Sequence, residues 1–196
     1  MKAGWKNTTL GAAFATVTGS TPPKNNADLC GQFIPLVKPP ELRDATLDSA
    51  EDGLSEAGAE VARAVLPNSI LVSCIGNLGK VGLNTVPVVF NQQINAILPD
   101  VDKAIPEFMF YQVLSCSFRD QLEAFASGTR VPIINNSKFN SVKVVLPRLP
   151  RQKAIVAQPG SLREETQRLA TLYERKLDTL EALKKSLLNQ SFTGGL

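Results

Sequence analysis

Near the C-terminus, Leu162, Leu169, Tyr173, Leu177, Leu180, Leu183 and Leu187 fall in steps of three, four and once seven, with Arg, Lys and Glu between them. That spacing puts the apolar side chains on one stripe of an α-helix and the charges on its other faces. Ser161 stands at an N-cap position with Glu164 three residues on, a capping-box spacing. If helical from Leu162 through Asn189, the element is about 42 Å long at about 1.5 Å per residue. A stripe of that length cannot be covered by one small domain. It calls for a partner helix from another subunit or repeat, the alternative being a helix folded back on its own domain. The chain is therefore expected to divide into a globular body, residues 1–150, and a helical region, residues 151–196.

The body has a different pattern. Thr8–Gly11 is strand-like or a turn, and Thr18–Asn26 is a loop punctuated by Gly, Pro and Asn. Phe33–Val37 predicts a strand, and the acidic segment after it predicts a helix over Ala57–Val65. Ser69–Ile75 is a continuous β-branched run, followed by Gly76-Asn77-Leu78-Gly79 and a return through Lys80–Leu83. This predicts a β-hairpin. Val86–Phe90 and Gln93–Leu98 continue the β pattern. Ile105–Ala126 has helical spacing, and Val131–Ile134 and Val142–Leu146 predict the last strands. Many short strands with few long helices make an α+β class, a mixed α/β body followed by a long helix.

Composition excludes several functions. With no histidine among 196 residues, Ser-His-Asp and Cys-His catalysis are unavailable, as are nearly all zinc enzyme architectures. Ile75–Val81 is too short for a phosphate-binding loop and has Val81 where magnesium needs a hydroxyl. Asp100 and Asp102 lack the partners of a metal-dependent nuclease. Cys30, Cys74 and Cys116 are far apart and odd in number, which suggests reduced, mostly buried thiols. No segment approaches the roughly 18 apolar residues of a membrane span, and the N-terminus lacks a signal-peptide run, so a cytoplasmic location is expected.

Charge is segregated. Residues 1–150 hold 13 Lys or Arg and 13 Asp or Glu, whereas residues 151–196 hold 8 and 5. Glu41–Glu60 carries seven acids and one base. No acid lies between Ala124 and Leu162, a span that includes Arg130, Lys138, Lys143, Arg148, Arg151 and Lys153. This basic strip is either a solvated face or a phosphate-facing surface.

Several segments resemble the specificity subunits of type I restriction–modification systems. These are the opening segment, Ser69–Leu83, Asn91–Ala96, Ile133–Pro150, the Leu149-Pro150-Arg151-Gln152 hinge and Leu180–Gly194, in family order over nearly the whole chain. The resemblance implies a target recognition domain that reads one half of a bipartite double-stranded DNA site. It also implies a conserved helical region that spaces the domains and docks methyltransferase (modification) subunits and, through them, a restriction subunit. Catalysis and S-adenosylmethionine would then reside on the modification subunit, with no cofactor on this chain. No Asn-Pro-Pro-Tyr or Asp-Pro-Pro-Tyr motif is present.

Two departures stand out. The family usually carries two copies of each region, and this chain has one. It is therefore expected to act as a half-length subunit that homodimerises through antiparallel helices and reads an interrupted palindrome. Pro159-Gly160 interrupts the expected helix.

Paired donors and acceptors suit Arg, Lys, Asn and Gln to base-edge readout. The DNA-binding candidates are Lys24, Asn25, Asn26, Asn77, Lys80, Thr129, Arg130, Asn135, Asn136 and Lys138. For each one, a plain turn residue or phosphate contact is the alternative. Leu169, Tyr173, Leu177, Leu180 and Leu187 are the dimer-interface candidates. The competing function is a stand-alone DNA-modifying enzyme, a small nuclease or methyltransferase. A pure interaction protein has only the acidic Glu41–Glu60 run in its favour.

Overall fold

The computed structural model describes residues 4–23, 26–128 and 130–157, together with residues 173, 176, 179, 180, 184 and 185. The chain divides into two compact units, Met1–Lys153 and Ala154–Leu196.

The first unit carries eleven strands and five complete α-helices among its described residues, and a further helical segment starts at residue 149. In chain order these are β1 (Trp5–Thr9), α1 (Leu10–Ala13), β2 (Ala15–Thr18), β3 (Cys30–Val37), β4 (Ala45–Leu47), β5 (Asp52–Leu54), α2 (Glu56–Val61) and β6 (Ala64–Val65). There follow β7 (Ile70–Ser73), β8 (Val81–Asn84), β9 (Val88–Phe90), β10 (Ile94–Leu98), α3 (Pro106–Val113), α4 (Cys116–Phe125), α5 (Asn136–Asn140) and β11 (Lys143–Pro147). The strands form a five-stranded sheet, β2-β10-β7-β8-β4, a four-stranded sheet, β5-β3-β9-β6, and the pair β1-β11. Most neighbours are antiparallel; β4 with β8 and β3 with β9 are parallel.

The main core lies between the two larger sheets. Leu47, Leu71, Ile94 and Ala96 come from one, and Val37, Val65, Val88 and Phe90 from the other. Alternation along β9 explains why Val88-Val89-Phe90 is apolar throughout. Val88 and Phe90 face this core, while Val89 joins Ile34, Leu36 and Leu54 on the opposite face, where Ala59 and Ala62 pack. Helix α3 packs against β7 and β8. A strand buried on both faces reads as a continuous apolar run, as Ile70, Leu71 and Val72 of β7 do.

The predicted hairpin forms, with Val72 opposite Val81 and Ile70 opposite Leu83. Other expectations need correction. The helix predicted over Ala57–Val65 ends at Val61 and gives way to β6. The periodicity of Ile105–Ala126 resolves into two helices, because the Ser115 hydroxyl caps a new start by accepting from Phe118 N–H at 3.4 Å. Val131–Ile134 is no strand; only isolated bridges join Ile133 to Ile75 and to Ser127. The acidic segment also contains β4 and β5, three residues each, too short for any period to show. Cys30 and Cys116 are exposed and only Cys74 is buried, so the expectation of mostly buried thiols fails.

Closure of the unit depends on side-chain amides. β11 pairs with β1 along one edge. Along its other edge, Gln112 of α3 donates to Val145 O at 2.7 Å and accepts from Val145 N–H at 3.3 Å. Gln121 of α4 does the same for Lys143, at 3.1 and 2.8 Å. Two glutamines two strand positions apart thus replace a third strand and block an open edge. Gln152 completes the closure within residues 149–157, which are helical. It is fully buried. It donates to Lys103 O and Pro147 O at 2.9 and 2.8 Å and accepts from Ile105 N–H at 2.8 Å. The last residue of the Leu-Pro-x-Gln hinge therefore ties the exit of the domain to the start of α3.

Candidate nucleic-acid interface

The turn of the β7–β8 hairpin is built around Ser73. Its hydroxyl donates to Asn77 O at 2.5 Å and accepts from Lys80 N–H at 2.9 Å, and its carbonyl accepts from Gly79 N–H at 3.0 Å. Gly76 and Gly79 adopt φ of 77° and 74°, conformations that suit glycine. Asn77 is left exposed at the tip.

A second loop lies alongside. Ser127 and Ile133 exchange backbone hydrogen bonds at 3.0 and 2.8 Å, closing Gly128–Pro132 into a tight loop. Gly128, at φ 105°, sits where a Cβ would come within 2.4 Å of Val131 O. Gly76 N–H then donates to Pro132 O at 3.0 Å and Ile134 N–H to Cys74 O at 2.9 Å, which seats the loop on the hairpin turn. This brings exposed Arg130 to the end of the molecule that carries Asn77. Among the described residues nothing pairs with its guanidinium.

Asp44 organises the cations beside the turn. It has φ 58°, donates its backbone N–H to Val81 O at 2.9 Å, and accepts from Val81 N–H through Oδ1 at 3.0 Å. Its Oδ2 lies 3.9 Å from both Lys80 Nζ and Arg119 Nη2. All three side chains are partly exposed, so these contacts orient more than they stabilise. Arg119 was missed in the sequence because it sits in the middle of α4. It packs beside the turn, where a Cβ at Gly79 would meet Leu122 at 3.5 Å and Arg119 at 3.6 Å.

The other candidates are distributed differently. Asn135 caps α5, accepting from Lys138 N–H at 2.9 Å. Asn136 accepts from Thr16 Oγ1 at 3.2 Å, and Lys138 Nζ donates to Phe125 O at 2.8 Å. Asn136 and Lys138 are half-buried fixtures of the fold rather than free loop residues. Asn26 caps a 3-10 turn, Ala27–Leu29, beside α2, accepting from Asp28 N–H at 3.1 Å. It is not bonded to the hairpin group. Lys24, Asn25 and Thr129 lie outside the described residues, as do Leu169, Leu177, Leu187 and Pro159-Gly160. Tyr173 and Leu180 are 61% and 60% exposed in the single chain, with Lys176 Nζ 5.6 Å from the Tyr173 ring centroid. The basic strip is spread over the Arg130 loop, α5, β11, Arg148 and the helical residues 149–157.

Residues 2–159 match the family described as "Type I restriction modification DNA specificity domain". The chain belongs to this family. This specificity domain is 32% identical over 148 residues to the type I restriction enzyme HindI specificity subunit of Haemophilus influenzae, covering 74% of this chain and 32% of that protein. It is 26% identical over 108 residues to the MjaVIII specificity subunit of Methanocaldococcus jannaschii, covering 55% of this chain and 24% of that protein. The chain thus spans about a third or less of the curated relatives it matches. Its fold is shared with a chain from the structural study of assembly and conformational transition in the type I R-M system, with TM-score 0.73 and 18% identity, covering 98% of this chain and 46% of that one. The HsdS subunit of Thermoanaerobacter tengcongensis matches with TM-score 0.66 and 17% identity over 84% of this chain and 38% of that one.

Nothing in the described part of the specificity domain assembles a metal cluster. Asp100 instead closes a turn. Lys103 donates to it, and Asp102 N–H donates as well, which holds its carboxyl below the usual carboxylate range. No described helix is long and apolar enough to cross a membrane.

Burial pushes the Cys74 thiol up from 9.0 to about 12, partly offset by hydrogen bonding from Asn95. A thiol-specific reagent should therefore label two cysteines rapidly in the native protein and three after denaturation, as counted by mass spectrometry. Rapid native labelling of Cys74 would contradict the packing. The raised folded pKa also means that this group's contribution to stability is complete below pH 9.0 and is lost as pH rises through about 12.

Proposed function

We propose that this chain is the DNA-reading component of a type I restriction–modification assembly and has no catalytic role of its own. One observation carries the reading. In a chain of the specificity family, Asn77, Lys80, Arg119 and Arg130 lie on or beside a hairpin turn and the loop that backbone bonds seat on it. Such a surface offers amide and guanidinium groups to base edges and cations to phosphates. Residues 1–150 read one half of a bipartite duplex site. The helical region, residues 151–196, pairs with its counterpart in a second copy and docks modification subunits, which carry S-adenosylmethionine and recruit the restriction subunit. The exposure of Tyr173 and Leu180 supports a helix face that awaits a partner. The complex operates in the cytoplasm.

Long-read methylome sequencing of cells expressing this chain with a cognate modification subunit tests the proposal. The expected result is a two-part symmetric motif with a fixed spacer. An asymmetric motif would reject the homodimer, and cleavage or methylation by the purified chain alone would reject the non-catalytic assignment.

A further inference from the structure

We propose that Val131 and Ile133 read the 5-methyl group of thymine in the major groove; the inference rests on the DNA-reading function above. These side chains are 48% and 41% exposed. They stand two residues apart in the loop that is seated on the β7–β8 turn. Their backbone is held closely: Ile133 exchanges both bonds with Ser127, Pro132 accepts from Gly76, and Ile134 donates to Cys74. Both are β-branched and therefore stiff at χ1. Among the described residues, two stiff aliphatic side chains are thus presented to water beside the hairpin turn.

Their surroundings indicate what does cover them. Exposed Arg130 adjoins Val131, and the hairpin turn bonded to Pro132 carries exposed Asn77, with Lys80 and Arg119 beyond it. Protein-binding patches tend to be aromatic at the centre and depleted in charge. Among the described residues this patch is two aliphatic side chains, with Arg130 adjoining it in the chain and Lys80 and Arg119 held by Asp44 on the far side of the hairpin turn. In a duplex major groove the one apolar group on a base edge is the thymine methyl, surrounded by acceptors and donors that suit Arg and Asn and by phosphates that suit Lys and Arg. The patch matches that arrangement in size, polarity and charge.

The test uses the full-length protein. Its preferred half-site is selected from a pool of randomised duplexes, and each thymine is then replaced singly by deoxyuridine, which deletes only the methyl. Native protein should lose affinity about fourfold at one or two positions, the effect of desolvating one methyl group. The Val131→Ala and Ile133→Ala variants, checked for unchanged thermal melting, should bind thymine and uracil duplexes equally at those positions. Equal binding by the native protein at every position, or a half-site without thymine, would overturn the inference while leaving DNA reading intact. A thymine preference that survives in both variants would also overturn it. Unchanged DNA binding with loss of modification-subunit binding would assign the patch to that protein instead. Failure to select any sequence would reject the underlying function itself.

Discussion

Replacing Gln152 by Ala should destabilise the globular unit by about 3–5 kcal/mol in denaturant unfolding, a large share of the roughly 5–15 kcal/mol that holds a domain of this size together. Gln152 is fully buried, and its amide meets three backbone groups: Ile105 N–H, Lys103 O and Pro147 O. Truncation leaves all three without this partner, Pro147 O in a buried and the other two in a part-buried setting, at about 1–3 kcal/mol for each group that water cannot reach. Gln152→Glu should be at least as damaging, because a carboxylate cannot donate to two carbonyls and carries charge into a buried site. Arg151→Ala, one residue away and exposed, should change stability by no more than about 0.5 kcal/mol. If Gln152→Ala and Arg151→Ala proved equally mild, the closure of the domain would have to depend on β1 pairing alone. The position also explains why a glutamine belongs in the hinge. The chain leaves its sheet at Pro147 and turns directly into a helix, and only a side chain with both donors and an acceptor can satisfy that junction.

The parts of the fold that showed in the sequence are those whose side chains repeat. Ile70–Ser73 and Ile94–Leu98 are mostly apolar stretches in the interior of a sheet, each with one buried polar residue, Ser73 and Asn95, and the two glycines of the hairpin turn marked its reversal. β4, β5 and β6 did not show, since two or three residues complete no period and their pairing is set by distant strands. The break between α3 and α4 depends on one hydroxyl cap at Ser115, inside a pattern that otherwise runs on. Val131–Ile134 has the composition of a strand, yet its backbone bonds are divided between Ser127 and the hairpin turn, so no ladder forms. The site was legible to the same degree. Asn77, Lys80 and Arg130 stood out as polar residues in glycine-marked turns. Arg119 did not, because its role depends on a contact between α4 and Gly79 that no local spacing encodes. Asn136 and Lys138 looked equally suited to DNA, and their bonds to Thr16 and Phe125 O are long-range facts.

Those differences separate the cations by expected effect. The double substitution Lys80→Ala with Arg119→Ala should weaken binding to every duplex on the order of 100-fold and lower the slope of log K against log salt by about 2, as the loss of two phosphate contacts requires. It should leave the ranking of sequences unchanged, since both side chains are held to the side of the turn by Asp44. Asp44→Asn is the counterpart: removing the carboxylate 3.9 Å from both cations should raise affinity for all duplexes, most at low salt. Arg130→Ala should behave differently. Its guanidinium is unpaired among the described residues and sits on a loop whose ends are fixed to each other and to the hairpin, an arrangement suited to bidentate contact with a base edge. Its loss should reduce preference for the selected half-site over random duplex by about 10- to 100-fold, with a smaller change in nonspecific binding. Titrations of each variant against selected and random duplexes at several salt concentrations separate the two behaviours. A uniform loss for Arg130→Ala, matched by a slope change of about 1, would make it a phosphate contact and move base reading to Asn77 and its neighbours.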